Sequence, residues 1–126
     1  MIFDPIADIL TRIRNGQMSR KNVVMAPYSK MKHSVVKVLL EKNFIQDLKV
    51  VESGKFKELE ITLKPNSAMT LRRVSKPGQR MYVKASEIKP VRNGHGISII
   101  STSQGVISGK DAYKQGLGGE YVCLVY

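Results

Sequence analysis

Three consecutive hydroxyl side chains, Ser101, Thr102 and Ser103, follow an apolar run (Ile97, Ile99, Ile100) and lead into Gln104 and Gly105. A strand that ends this way presents hydrogen-bond donors and acceptors from a rigid base. Glycine beside them lets a foreign backbone approach closely. Such a group could activate a serine, hold a phosphate, or bond to the hydroxyls and base edges of a nucleic acid. The same five residues also read as an ordinary polar turn between strands.

Nucleophilic catalysis finds little support. Ser103 has no identifiable base, and Gln104-Gly105 does not form a G-x-S-x-G elbow. Gly94-His95-Gly96 begins like a dinucleotide fingerprint, but position 99 is Ile, and no Walker loop is present. The chain has one cysteine, Cys123, and two histidines, His33 and His95, so no zinc-type ligand set can be assembled. A protein without metal, cofactor or small-molecule substrate is expected, and not an enzyme.

Charge favours the nucleic-acid reading. The 126 residues carry a net charge of +11. Residues 1–66 hold 12 Lys+Arg against 7 Asp+Glu, and residues 67–126 hold 9 against 3. A folded protein this basic meets polyanions, because neutralising phosphates releases counterions. From Lys64 to Arg92 there are eight basic residues (Lys64, Arg72, Arg73, Lys76, Arg80, Lys84, Lys89, Arg92) against Glu87 alone, with Tyr82 among them. Basic side chains around an aromatic that can stack on a base fit RNA. A solvated strand face with Tyr82 in the core would give the same pattern. Gly116-Leu-Gly-Gly-Glu120 is a second polar element, in which Glu120 could neutralise a neighbouring arginine or accept from a base amino group. No apolar stretch approaches the ~20 residues that span a bilayer, and no signal-peptide pattern opens the chain. A cytoplasmic protein without a membrane partner is expected, with Cys123 a small core residue.

The elements that must position these residues follow from periodicity. Asp4-Pro5 caps a helix with Ile6, Ile9, Leu10 and Ile13 on one stripe, ending at Asn15-Gly16 with Arg12 and Arg14 in its last turn. Val23–Met25 is a short strand. Ser29 caps a second helix to about Asn43, with Met31, Val35, Val38 and Leu39 inward and Lys30, Lys32, Lys37 and Lys42 outward. Ile45–Val51 and Phe56–Leu63 form a strand pair around Glu52-Ser-Gly-Lys55. Lys64-Pro-Asn-Ser67 marks a boundary between an N-terminal α/β domain, 1–64, and a C-terminal β-rich domain, 68–126. Beyond it lie strands at Met69–Val74 and Arg80–Lys84 around Pro77-Gly78, and a short turn at Glu87–Pro90. A strand at Ile97–Ser101, a one-to-two-turn helix at Gly109–Gln115 and a last strand at Tyr121–Tyr126 follow. The fold class is α+β: an α-β-α-β-β half, then a β-rich half with a short helix.

The chain resembles the bacterial small-ribosomal-subunit protein eight family over essentially its whole length. The resemblance rests on Asp4-Pro-Ile-Ala-Asp-Ile-Leu-Thr-Arg-Ile-Arg-Asn15, Pro27-Tyr-Ser-Lys-Met-Lys32 and Arg73-Val-Ser-Lys-Pro-Gly78. Gly96-Ile-Ser-Ile-Ile-Ser-Thr-Ser-Gln-Gly-Val106 and Gly116-Leu-Gly-Gly-Glu120 complete it. It implies a non-catalytic protein of the 30S subunit that binds a helix in the central domain of 16S ribosomal RNA and supports assembly. It also implies neighbouring ribosomal proteins as partners, and, as in some members, repression of its own operon through the messenger. The RNA contacts implied are Ser101, Thr102, Ser103 and Gly105, then Gly118, Gly119 and Glu120, with Tyr82 and Lys84 from the basic strand. Ser29, Lys30, Lys32 and Arg14 form a second, weaker contact. Departures from the family pattern are Gln104 where relatives often have lysine, His95 for a usual leucine, Gly109 where a helix cap is usual, and Pro90 one position along. Two other readings are an RNA-processing enzyme using Ser103, testable by turnover, and a sequence-tolerant DNA-binding protein, testable by equal affinity for duplex DNA.

Overall fold

The computed structural model describes residues 4–126. The chain divides into two compact units, the first ending at Met69 and the second starting at Thr70.

In the first unit, helix α1 (Pro5–Met18) starts as its sequence dictates: the Asp4 carboxylate accepts from the amides of Ile6 and Ala7 at 3.1 and 3.2 Å. It does not stop at Asn15-Gly16. Gly16 is buried inside the helix, where a Cβ would overlap the Val24 side chain, so glycine serves close packing there rather than termination. The helix therefore runs to Met18 with Ser19 as C-cap, and Arg12 and Arg14 lie before its last turn. Strand β1 (Val23–Pro27) follows, then helix α2 (Lys30–Glu41), whose first turn is closed by Ser29 Oγ accepting from the Lys32 amide at 3.1 Å.

Strands β2 (Asp47–Ser53) and β3 (Phe56–Thr62) complete an antiparallel sheet in the order β1-β3-β2. Val24, Ala26, Leu59 and Ile61 alternate inward from it, and Ile9, Ile13, Val35 and Leu39 of the helices are fully or almost fully buried in the same unit.

Lys32 departs from the expectation of an outward lysine. Its side chain is 2% exposed and its ammonium donates to Asp8 Oδ2 at 2.7 Å, joining α2 to α1. Positions 32, 35, 36 and 39 fall on one helical stripe, and that stripe is the buried one. Asp8 is held also by Arg12 Nε at 3.0 Å. Burial raises its carboxyl pKa, but the hydrogen bonds and charges of Lys32 and Arg12 outweigh burial and bring it below the ordinary value.

The second unit is an antiparallel sheet of five strands: β4 (Leu71–Arg73), β5 (Tyr82–Val83), β6 (Ile97–Thr102), β7 (Gly105–Ser108) and β8 (Gly119–Val125). The strands on either side of Pro77-Gly78 do not pair with each other. The turn is closed by reciprocal Lys76–Gln79 backbone bonds, and both β4 and β5 pair with β8. Single 3₁₀ turns occupy Ala85–Glu87 and Arg92–Gly94.

Helix α3 (Gly109–Gln115) is capped by Ser108, whose Oγ accepts from the Asp111 amide at 3.2 Å. Gly109 is therefore not a substitute cap; a Cβ there would overlap Ser98 Oγ. Ile88, Ile100 and Ala112 form a buried cluster with Val83, Ile107 and Tyr121 packed against it. Cys123 is fully buried, and burial pushes its thiol pKa up to about 12. No described helix is long and apolar enough to cross a membrane.

Candidate nucleic-acid interface

The three hydroxyls belong to a tight hairpin. Ser101 and Thr102 end β6, Ser103 and Gln104 form a two-residue turn, and Gly105 opens β7, a strand that sequence reasoning did not assign. The hydroxyls have different duties. Thr102 Oγ1 donates to the Gly105 carbonyl at 2.8 Å and accepts from the Gln104 amide at 3.1 Å, so it closes the turn. Gly105 sits at φ 117°, a conformation that disfavours a side chain. The exposed Ser103 hydroxyl has no partner among the described residues.

Register decides which other candidates join the hairpin. Tyr82 pairs with Glu120, Glu120 with Ser101, and Ser101 with Val106. Residues opposite each other in an antiparallel ladder project to one face. Tyr82, Glu120 and Ser101 thus stand in one row across three strands. Tyr82 is 69% exposed, which removes it from the core. Lys84 is exposed just beyond β5, and its amide donates to Glu87 Oε1 at 2.7 Å.

The glycines serve the protein's own strands. A Cβ on Gly119 would overlap the Ser101 carbonyl, and one on Gly118 would lie 2.5 Å from the Val83 carbonyl and 3.0 Å from Lys84 Cα. Their small size brings β5, β8 and the hydroxyl hairpin together, where the sequence suggested access for a foreign backbone.

Glu120 is the electrostatic centre of the row. Its Oε2 accepts from Ser75 Oγ at 2.5 Å and from Arg80 at 2.9 Å, and Oε1 has no partner among the described residues. Burial raises its pKa, but the Ser75 and Arg80 hydrogen bonds, with the charges of Arg80 and Arg73, outweigh burial and bring it below the ordinary value. Ser75 is 1% exposed; it also accepts from the Met81 amide at 3.1 Å, and its carbonyl accepts from Arg73 Nε.

Sequence reasoning did not place Ser75 or Arg80 in the site. Arg80 was accessible to it, since period two from Tyr82 puts position 80 on the same face. Nothing in the sequence marks Ser75, whose burial depends on the pairing of β8. Ser29, Lys30, Lys32 and Arg14 belong to the other unit: Lys30 and Arg14 are exposed, while Lys32 is committed to Asp8. No cluster of three His, Cys, Asp or Glu able to hold a metal occurs among the described residues.

A sequence profile described as Ribosomal protein S8 matches residues 4–126. Curated relatives named small ribosomal subunit protein uS8 are similar from end to end. That of Caldicellulosiruptor bescii is 47% identical, covering 99% of this chain and 98% of its own, and that of Dehalococcoides mccartyi is 46% identical, covering both chains fully. The Leptospira biflexa protein is 42% identical over 98% of this chain and 97% of its own. With a profile and relatives that span it almost completely, the chain belongs to the ribosomal protein S8 family, whose members are structural and not catalytic.

Proposed function

We propose that the row Tyr82–Glu120–Ser101, with the Ser103 hydroxyl at the hairpin tip, binds an irregular helix in the central domain of small-subunit ribosomal RNA and supports subunit assembly in the cytoplasm. The observation that carries this reading is the register that sets an exposed aromatic, a held carboxylate and a hydroxyl side by side. Each group has a role that suits RNA. The Tyr82 ring can stack on a base or ribose, and Ser103 can donate to or accept from a 2′-hydroxyl. Glu120 Oε1 can accept from a base amino group, while Arg80 offsets the carboxylate's repulsion of phosphate. The fixed turn lowers the ordering cost of binding.

Residues 68–126 would then carry recognition. The 1–64 half would supply a second contact through Ser29, Lys30 and Arg14, with Lys32 supporting the fold instead. Neighbouring small-subunit proteins, and a similar structure in the chain's own operon messenger, are further partners on this reading.

The test is affinity for a central-domain helix fragment, a scrambled hairpin and a DNA copy, each over a salt series. A preference for the native RNA that survives moderate salt and falls 5- to 100-fold in Ser103→Ala, about 1–3 kcal/mol, supports it. Equal binding to all three, collapsing as salt rises, refutes it.

A further inference from the structure

The first unit contains a concavity of about 460 Å³ to which the sequence assigned nothing. One wall is the segment from the end of α1 into β1 (Gln17, Arg20, Lys21, Asn22), and the other leaves β3 (Leu63 to Ser67). We propose that this concavity is a phosphate-binding site for a second stretch of RNA, taking the phosphodiester backbone through Arg20, Lys21 and Lys64.

The walls are built by the chain itself. The Leu63 amide donates to the Asn22 carbonyl at 2.8 Å, the Lys21 amide to Gly16 at 2.9 Å, and the Ser67 amide to Lys64 at 3.1 Å. Gln17 pins the far wall: its Oε1 accepts from Ser67 Oγ at 2.6 Å and the Met69 amide at 2.9 Å, and its Nε2 donates to the Met69 carbonyl at 3.1 Å. Arg20 and Asn66 adopt left-handed conformations at φ 54° and 57°, so both rims turn sharply.

The donors on these walls lack acceptors in the protein. Arg20, Lys21 and Lys64 are exposed and have no carboxylate partner among the described residues, and the amide groups of Asn22 and Asn66 have no hydrogen-bond partner there. The unit contains seven carboxylates, and none lines the concavity. Three cations and two amides without a nearby acid suit an anion with several oxygens. Only Leu63 and Pro65 are apolar and no aromatic lines the site, so it has neither the anchor pocket of a protein interface nor walls to enclose a nucleobase. A backbone contact of this kind adds affinity and register without reading sequence.

The inference rests on the RNA-binding reading above, and the experiment separates the two. Full-length protein and the variant Arg20→Gln/Lys21→Gln/Lys64→Gln are titrated with the minimal central-domain helix and with the whole central domain, over a salt series. A second variant, Lys37→Gln/Lys49→Gln/Lys55→Gln, removes equal charge elsewhere in the unit. We expect the first variant to bind the minimal helix like wild type but the whole domain about tenfold more weakly. Its slope of log affinity against log salt should be shallower by about two, near the 0.7 to 0.9 expected per phosphate lost. The second variant should leave both unchanged.

Wild-type affinity and slope of the first variant for the whole domain would overturn the site. So would equal losses in both variants, which would make the effect one of net charge. Weakening by millimolar inorganic phosphate of whole-domain binding by wild type but not by the first variant would support a phosphate site directly. Failure of wild type to prefer the minimal helix over a scrambled hairpin would instead refute the earlier reading.

Discussion

Gly118 and Gly78 permit a controlled test of how the candidate interface is held together. Both are glycines outside the positive-φ region, so adding a Cβ strains neither backbone. Their surroundings differ: a Cβ at Gly78 meets nothing within 4 Å, whereas one at Gly118 lies 2.5 Å from the Val83 carbonyl. Ordinary contact needs at least 3.4 Å, so Gly118→Ala must push the backbone at Val83 away by about 0.9 Å. A shift of that size breaks or stretches the β5–β8 pairing that holds Tyr82 opposite Glu120.

Overpacking of this kind costs about 1–3 kcal/mol, and a lost ladder bond adds about 1. With a urea dependence near 2 kcal/mol per molar, Gly118→Ala should unfold about 1 M urea earlier than wild type. Gly78→Ala should unfold at the same urea concentration or slightly later, since alanine narrows the unfolded ensemble. RNA affinity should fall at least several-fold in Gly118→Ala and stay constant in Gly78→Ala. Indistinguishable urea midpoints for the two variants would refute the argument that Gly118 is required by close approach.

Removing Asp8 should harm the first unit more than removing its partner. Lys32→Met keeps the packed stem and leaves Asp8 with Arg12, for about 1 kcal/mol, whereas Asp8→Ala takes the carboxylate from a buried ammonium and should cost about 3. In thermal unfolding, the double variant should be no less stable than Asp8→Ala; the reverse order would contradict the assignment. Acid should also weaken the fold. The folded pKa values of Glu120 and Asp8 lie below their ordinary 4.5 and 3.8, so their stabilisation is full above those values and is lost as pH falls through the folded ones. Urea midpoints should drop below about pH 4.5, and Glu120→Gln should flatten that drop. Cys123, with its thiol near 12, should react with a disulfide reagent at pH 8 only as the protein opens, and stoichiometric labelling within seconds in native buffer would disprove its burial.

Local physics made much of this fold legible. Asp4-Pro5 and the isoleucine stripe locate α1, and Ser29 locates α2, because caps and periodicity act within a few residues. What escaped depends on contacts distant in sequence. Gly16 satisfies the sequence rule for a helix stop, and only Val24 beside it shows that it is a packing glycine. Gly118 and Gly119 look like turn residues for the same reason. Lys32 sits on the same stripe as Val35, Val36 and Leu39, so its burial was available from spacing, but the charge of lysine argued for the opposite face. Tyr82 was undecided between core and surface until register placed it opposite Glu120. Strand β7 is only four residues long and exists because the 103–104 turn folds it onto β6.

The pairing of β8 has a consequence for the chain as it is made. Strands β4, β5 and β6 all bond to β8, which is later in sequence than each of them. During translation, residues 71–102 must wait without their central partner until residues 119–125 have cleared the exit tunnel. The row Tyr82–Glu120–Ser101 therefore comes into being only at the end of this sequence. A nascent chain stalled before Gly119 would carry the hydroxyls and the tyrosine but no surface on which they meet, so RNA binding would be timed by completion of the strand.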